Sequence, residues 1–293
     1  MKKSIYKIIN FFGYNIYKKN IKNIDKLEKL EKFEVRTNLD LMYRCAEYIF
    51  LLQERYPDLE ISDAGEFLKI SFNEMIFFVE SGEEFIILKE IFIDNEYDFS
   101  LEKDCILIDI GANVGMASVF FNQQDNIKKI YSFEPVKDNF QLAEKNFSAN
   151  NVSKVYLYNF GLGNCEREEQ FNYSRQLKGN SGKKERKNFN YRHITKIEER
   201  TVKIKKASEV LKSIIEKNRG VKVVIKMDCE GGEYEIIQDL ASSNLLSSID
   251  ILMLEWHDKG PDTIAYYMKK NNFTFFTRYL GSRAGMIYAV NRK

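Results

Sequence analysis

Apolar positions in this chain recur first at helical spacing and later in short unbroken runs divided by polar stretches, so two unlike regions are expected. Over residues 1–20, Ile5, Ile9, Phe12 and Ile16 make one apolar stripe between basic flanks, the pattern of an amphipathic helix. Such a helix packs on its own protein or on a second copy in a homodimer, or it lies on an anionic membrane surface as a peripheral contact. Lys7 interrupts the run and no small-residue cleavage site follows, unlike a signal peptide. Residues 22–34 continue as a mixed-charge helix or linker. A stronger helix over 39–55 carries Leu41, Cys45, Tyr48, Ile49 and Leu52 on one face and is stopped by Pro57. Phe67–Phe72 and Met75–Val79, split by Asn73-Glu74, are expected as a β-hairpin, and 83–93 as a helix.

From Asp104 strand and helix signals alternate. Cys105–Ile110 has the length and composition of a strand buried on both faces. Gly111 and Gly115 then turn the chain tightly into a helix from Met116 to about Asn122. Lys129–Glu134 is the next strand; Asp138, with Gln141 three residues on, is expected to cap the helix after it, whose buried face is Phe140, Ala143 and Phe147. Val155–Phe160 is a third strand running into Gly161-Leu-Gly163, and Cys165 to Lys206 is expected as a long, polar, basic insertion. A helix from Ser208 to about Asn218, a strand over Val221–Asp228, a helix from Glu233 to about Ser242, a strand over Ile249–Glu255 and a helix over Pro261–Lys270 follow; Phe273–Tyr279 and Gly285–Val290 close the chain as a hairpin. Alternation of this kind implies right-handed crossovers and a parallel sheet. The expected fold class is α/β: a Rossmann-like, doubly wound, mostly parallel sheet with a terminal antiparallel hairpin. Residues 1–95 form an N-terminal helical and β-hairpin region and 96–293 the α/β domain.

Composition narrows the partners. The 45 basic and 43 acidic residues leave +2, too little to argue for nucleic acid. Cys45, Cys105, Cys165 and Cys229 form no C-x-x-C pair, and with two histidines in the chain a zinc site is disfavoured. Free thiols of this kind fit a reducing compartment, so the cytoplasm is the expected location, with residues 1–20 as a contact to the inner face of the membrane. No stretch approaches the ~20 apolar residues of a membrane span.

The glycine spacing after the first parallel strand selects among nucleotide ligands. A dinucleotide fingerprint counted from Gly111 needs glycines at 113 and 116, where Asn113 and Met116 stand; no Gly-Lys-Ser/Thr follows to cradle phosphates. S-adenosylmethionine (AdoMet) has an ammonium, a carboxylate, a sulfonium and a ribose diol but no phosphate, and it suits an acid at the strand end with exposed loop amides. Ligands of open α/β sheets sit beyond the carboxyl ends of the strands, which collects Asp109, Glu134, Asn159 to Gly163, Asp228 with Glu230, and His257. Glu134 lies 25 positions after Asp109, about where a Rossmann-like unit places the acid that accepts ribose hydroxyls.

Ile108-Asp-Ile-Gly-Ala-Asn-Val-Gly115, Phe133-Glu-Pro135 with Asn139, Gly161-Leu-Gly163, Ile225-Lys-Met-Asp-Cys-Glu-Gly231 with Glu233, and Leu254-Glu-Trp-His257 together resemble the FkbM-type methyltransferases. The likeness runs from about Asp98 to the end of the chain. It implies a class I, AdoMet-dependent enzyme that methylates hydroxyls, often on sugars of polysaccharides or their nucleotide-sugar precursors. By resemblance, Asp109, Gly111, Ala112, Asn113, Gly115 and Met116 lie about the methionine part of the cofactor and Glu134 at the ribose. Pro135, Val136, Asn159, Phe160 and Gly161 lie about the adenine, with Asp228 also on the cofactor side.

A hydroxyl acceptor needs a base, and His257 is the first candidate because an imidazole is half-neutral near pH 6.5 without tuning. Asp228 and Glu230 are the rivals, as base or as orienters of His257. Two carboxylates and a histidine also suit Mg²⁺ or Mn²⁺, although no metal is assigned. Nucleic-acid N-methyltransferases carry an Asn/Asp-Pro-Pro-aromatic turn where this chain has Asp228-Cys-Glu-Gly231, which disfavours that class; a silent AdoMet-binding module is the other alternative. His193 is expected at the surface. Lys183, Lys184, Arg186, Lys187, Arg192, Lys196, Arg200, Lys203, Lys205 and Lys206 crowd the insertion, which is either a solvated loop or a cover over an anionic acceptor. The expected partner is a small-molecule or glycan acceptor.

Overall fold

The computed structural model describes residues 21–99, 101–176, 178, 182–183 and 197–293. The helix expected over 1–20, His193 and the basic run from Lys184 to Lys196 lie outside the described residues. Helices α1 (Ile21–Leu30), α2 (Leu39–Arg44) and α3 (Ala46–Arg55) come first. The single helix expected over 39–55 is broken at Cys45 (φ −95°, ψ 7°); the break lets Leu41 and Met42 on one side and Ala46, Ile49 and Leu52 on the other reach one core. Strands β1 (Glu60–Ala64), β2 (Phe67–Phe72) and β3 (Met75–Val79) make an antiparallel sheet. Only Ile61 of β1 is fully buried, so its pairing with β2, and not its hydropathy, makes it a strand. Asn73 and Glu74 both take positive φ, 47° and 62°, the two-residue turn whose twist suits a hairpin. At the start of α4 (Gly82–Phe92) the Ser81 hydroxyl accepts the Glu83 amide and the Glu84 carboxylate accepts the Ser81 amide at 2.8 Å, a capping box.

The main sheet begins with β4 (Cys105–Ile110), followed by α5 (Met116–Asn122), β5 (Ile127–Phe133), α6 (Lys137–Ala149) and β6 (Val155–Tyr158). The cap expected from Asp138 and Gln141 does not form, because α6 already starts at Lys137 and the Asp138 carboxylate accepts from Arg200 at 3.0 Å. Next, β7 (Gly161–Gly163), β8 (Arg167–Tyr173), β9 (Gly182–Lys183) and β10 (Glu198–Lys206) build a second sheet in the order β7-β10-β8-β9. The stretch expected as a polar insertion is thus strand at both ends: in β10, Val202 and Ile204 are buried while Lys203 and Lys205 face out. The chain returns through α7 (Ala207–Lys217), β11 (Lys222–Met227), α8 (Glu233–Ser242), β12 (Ile251–His257), α9 (Asp262–Lys270), β13 (Phe273–Tyr279) and β14 (Ala284–Asn291). The seven strands are ordered β13-β14-β12-β11-β4-β5-β6. The five from β12 to β6 run parallel, and β14 lies antiparallel between β12 and β13.

Alternation along each strand divides the core. Cys105 and Leu107 of β4 join a cluster with Phe77, Phe85 and Leu88 of the N-terminal region; Ile106, Ile108 and Ile110 join another with Leu211, Ile237 and Met268 of α7, α8 and α9. The N-terminal region, together with α5 and α6, therefore covers one face of the main sheet as α7, α8 and α9 cover the other. By the same period of two, Asp109, Lys226, Glu255 and His257 belong to the N-terminal face. No helix among the described residues is long and apolar enough to cross a membrane.

Candidate active site

Strand order reverses at β4, and the crevice beyond the carboxyl ends of β4 and β11 is where such sheets hold ligands. The two ends approach closely: a Cβ on Gly111 (φ +82°) would stand 1.7 Å from the Asp228 carbonyl oxygen, and one on Gly115 (φ +80°) 2.6 Å from the Phe147 ring. Asn113 also takes positive φ, 50°, which aims its amide at Glu134. The Glu134 carboxylate is buried and accepts the Asn113 amide at 2.9 Å through Oε2 and the Val136 amide at 2.8 Å through Oε1. Burial outweighs these two bonds and raises its pKa to about 8.

A cavity of about 720 Å³, counting its open mouth, lies over this turn; Gly111, Asn113, Glu134, Pro135, Gly161, Asp228 and Glu230 line it. Asp109 does not. It is fully buried on the N-terminal face, where the Ser118 hydroxyl donates to Oδ2 at 2.7 Å and Lys226 Nζ lies 3.1 Å from Oδ1. Asp109 and Lys226 are cross-strand partners, and Lys226 also donates to the Gly111 carbonyl at 2.8 Å. Asp109 therefore anchors the turn from beneath instead of meeting a ligand. Ala112, Gly115 and Met116 support the turn from behind, Val136 supplies an amide to Glu134, Asn159 donates to the Glu134 and Pro135 carbonyls at 2.9 and 3.2 Å, and Phe160 packs on Phe133. None of these six lines the cavity.

Other lining residues carried no assigned role in the sequence. Asn139, in the first turn of α6, is buried in the cavity wall, and its Oδ1, like that of Asn113, has no hydrogen-bond partner among the described residues. Its spacing after Glu134-Pro135 was the available signal. Phe171 and Ile204 join Leu162, from the Asn159 to Gly163 stretch, in an apolar wall from the second sheet; no local pattern could have brought Phe171 and Ile204 to the carboxyl edge.

At the β11 and β12 ends His257, 6 % exposed, meets four acids. Nδ1 lies 2.7 Å from Glu233 Oε1, while Nε2 lies 3.5 Å from Glu255, 3.8 Å from Glu230 and 3.9 Å from Asp228. Burial would lower its pKa, but the bonds with Glu233 and Glu255 and the charges of Glu233 and Asp228 outweigh burial and push it to about 10. The ring is a cation at neutral pH in this state, not the half-neutral base expected from sequence. Burial, then the charge of Glu255, raises Asp228 to about 6. The N-terminal region adds Glu90, raised to about 8 by burial and by Glu255, together with buried Tyr97 and Glu96, the latter paired with Arg278.

A model of the Methyltransferase FkbM domain matches residues 109–281. The chain belongs to the FkbM methyltransferase family. "Methyltransferase 1" of Beauveria bassiana is 28 % identical over 188 residues, 60 % of this chain and 74 % of that protein; methyltransferase sdnD of Sordaria araneosa is 26 % identical over 195 residues, 59 % and 75 %. Among solved structures, Streptococcus pneumoniae Sp1610 (TM-score 0.37, 15 % identity, 65 % of each chain) and an rRNA methylase from Streptococcus thermophilus (TM-score 0.38, 11 % identity, 66 % of this chain and 90 % of that one) are similar in fold alone. As an FkbM protein the chain is a methyltransferase of the AdoMet type, with the resemblance read from its motifs borne out over the matched span.

Proposed function

We propose that this FkbM methyltransferase transfers a methyl group from AdoMet to a hydroxyl of a sugar, in a glycan or a nucleotide-sugar precursor. The observation that carries the reading is the pairing of one cavity end holding a single buried carboxylate with another crowded by carboxylates, since carboxylates accept from the hydroxyls in which sugars are rich. AdoMet, when bound, supplies an electrophilic methyl on a sulfonium. At the first end, each Glu134 oxygen holds one backbone amide and keeps a lone pair for a ribose hydroxyl. The unpartnered Asn113 and Asn139 oxygens suit cationic N–H donors, and Phe133, Leu162, Phe171 and Ile204 offer an apolar face to adenine.

At the second end an acceptor oxygen must shed its proton as its lone pair forms the new C–O bond and the C–S electron pair returns to sulfur. Asp228, 29 % exposed at the side chain and lining the cavity, is the carboxylate placed to take that proton. His257, enclosed behind it, positions the carboxylates. Of the two acceptors proposed, a neutral glycan is favoured over an anionic nucleotide sugar, because Arg175, Lys178 and Arg200 of the insertion are each held by acids: Arg175 by Glu66 and Glu80, Lys178 by Glu80 and Glu84, Arg200 by Asp138 and Glu198.

The test is transfer of an isotopically labelled methyl from AdoMet to neutral oligosaccharides, nucleotide sugars and RNA, with products mapped by mass spectrometry. Label on a sugar hydroxyl is the expected result. Label on an RNA base, or AdoMet binding with no transfer to any sugar, overturns it.

A further inference from the structure

We infer that Lys178 is a positioning residue of the AdoMet site, one that pins the apolar wall of the cavity to the N-terminal region. Lys178 lies between β8 and β9 and lines the cavity, yet it is only 2 % exposed. A lysine is seldom buried so far unless its charge is paired. Its Nζ donates to Glu84 Oε1 at 2.7 Å and meets Glu80 as well. The other Glu84 oxygen accepts the Ser81 amide at 2.8 Å, so the carboxylate that holds Lys178 also caps α4. Beside it Arg175 joins Glu80 to Glu66. Lys178 and Glu84 are 94 residues apart, and both acids lie before the residues matched to the FkbM domain.

The order of the second sheet gives this contact its purpose. In β7-β10-β8-β9, β7 runs on from β6 of the main sheet, whereas β8 and β9 form the far side. Phe171 of β8, opposite Lys183 of β9, stands in the cavity wall with Ile204, in a small apolar cluster with Val136, Tyr173 and Val202. Arg167 and Arg200 tie the sheet to α8 and α6; Lys178 and Arg175 tie its far side to the N-terminal region. Breaking a buried pair leaves charges without compensation, which disfavours a partly open wall. With the pair in place the Phe171 wall is set before AdoMet arrives. Without it AdoMet meets a wall closed only part of the time, and its apparent affinity falls by that fraction. The inference rests on AdoMet lying in this cavity and is independent of the acceptor.

The test is calorimetric titration of the full chain with AdoMet. Lys178→Met is expected to raise the dissociation constant about tenfold, as for a wall closed roughly a tenth of the time, with one site per chain retained. The Glu80→Gln, Glu84→Gln double variant alters no residue lining the cavity and leaves an amide oxygen to cap α4. It should raise the constant as much, and the triple variant no further, since all three groups act as one device. Lys128→Met, at an exposed pair with Asp104, should leave it within about twofold. An unchanged constant in Lys178→Met overturns the positioning role, and so do fewer sites at an unchanged constant, the mark of a fold merely weakened. A loss in Lys178→Met that the Glu80, Glu84 variant lacks makes Lys178 a direct ligand contact and overturns it too. If these variants unfold, hydrogen exchange in the unaltered protein decides: by reciprocity, AdoMet must slow the Ser81 and Glu83 amides along with that of Phe171, and exchange at Ser81 and Glu83 unmoved by AdoMet overturns the link. Glu134→Ala checks the underlying reading. Full affinity in that variant removes AdoMet from the cavity and the inference with it, whereas a loss there beside none in Lys178→Met overturns the role of Lys178 alone.

Discussion

At the cofactor end one buried carboxylate, Glu134, meets two backbone amides; at the acceptor end four carboxylates surround one imidazole, with Glu90 and Glu96 behind them. The first arrangement comes from a βα turn and the next strand end, so neighbouring segments supply nearly all of it. The second joins the consecutive elements β11, α8 and β12 to Glu90 and Glu96 of the N-terminal region, which lies far from them in sequence. The contrast has a chemical sense. On the reading proposed above, the methyl donor is met by rigid, locally encoded groups, whereas the acceptor faces a charge-dense wall that the N-terminal region completes.

Gly111→Ala breaks the cofactor end outright. With a Cβ built 1.7 Å from the Asp228 carbonyl at φ +82°, the strand ends must part, and a loss above ~4 kcal/mol in denaturant unfolding is expected. Lys226→Met comes next. It strands the buried Asp109 carboxylate and frees the Gly111 carbonyl, for an expected loss of ~3–5 kcal/mol; adding Asp109→Asn should restore much of it, and an unrestored double variant would show that the pair is not the cause.

The acceptor end is probed by His257→Gln. Turnover should fall about 10²-fold or more with AdoMet affinity within about twofold in calorimetry, because His257 does not line the cavity at Glu134. Equal losses in both would erase the distinction between the ends.

The smallest effect is the pH dependence of AdoMet affinity. Glu134 in the ligand-free protein has its pKa raised to about 8 from an ordinary 4.5, so its contribution to stability is full below 4.5 and lost as pH rises through 8. Ribose hydroxyls favour the ionised form. Affinity should therefore climb by up to ~1.4 kcal/mol per pH unit from pH 6 to 8 and level above it, and Glu134→Gln should flatten the curve. A flat wild-type curve would remove Glu134 from the ribose.

Much of this protein was decided locally. The run Cys105–Ile110, the glycines at 111 and 115 and the acid at 134 determine a buried parallel strand, a tight turn and a strand-end carboxylate, because period, chain stiffness and positive φ act over a few residues. The same reasoning put Asp109 at the ligand. Tertiary structure decided otherwise, since the alternation of β4 turns that side chain to the face covered by the N-terminal region, where Lys226 of β11 stands opposite. Strand β1, the second sheet's apolar wall and the insertion of β14 beside β12 were likewise settled by pairing between distant segments. So was the state of His257: its residue type carries an ordinary pKa, but four acids converging on one ring from separate elements make it a cation, and no stretch of sequence contains that field.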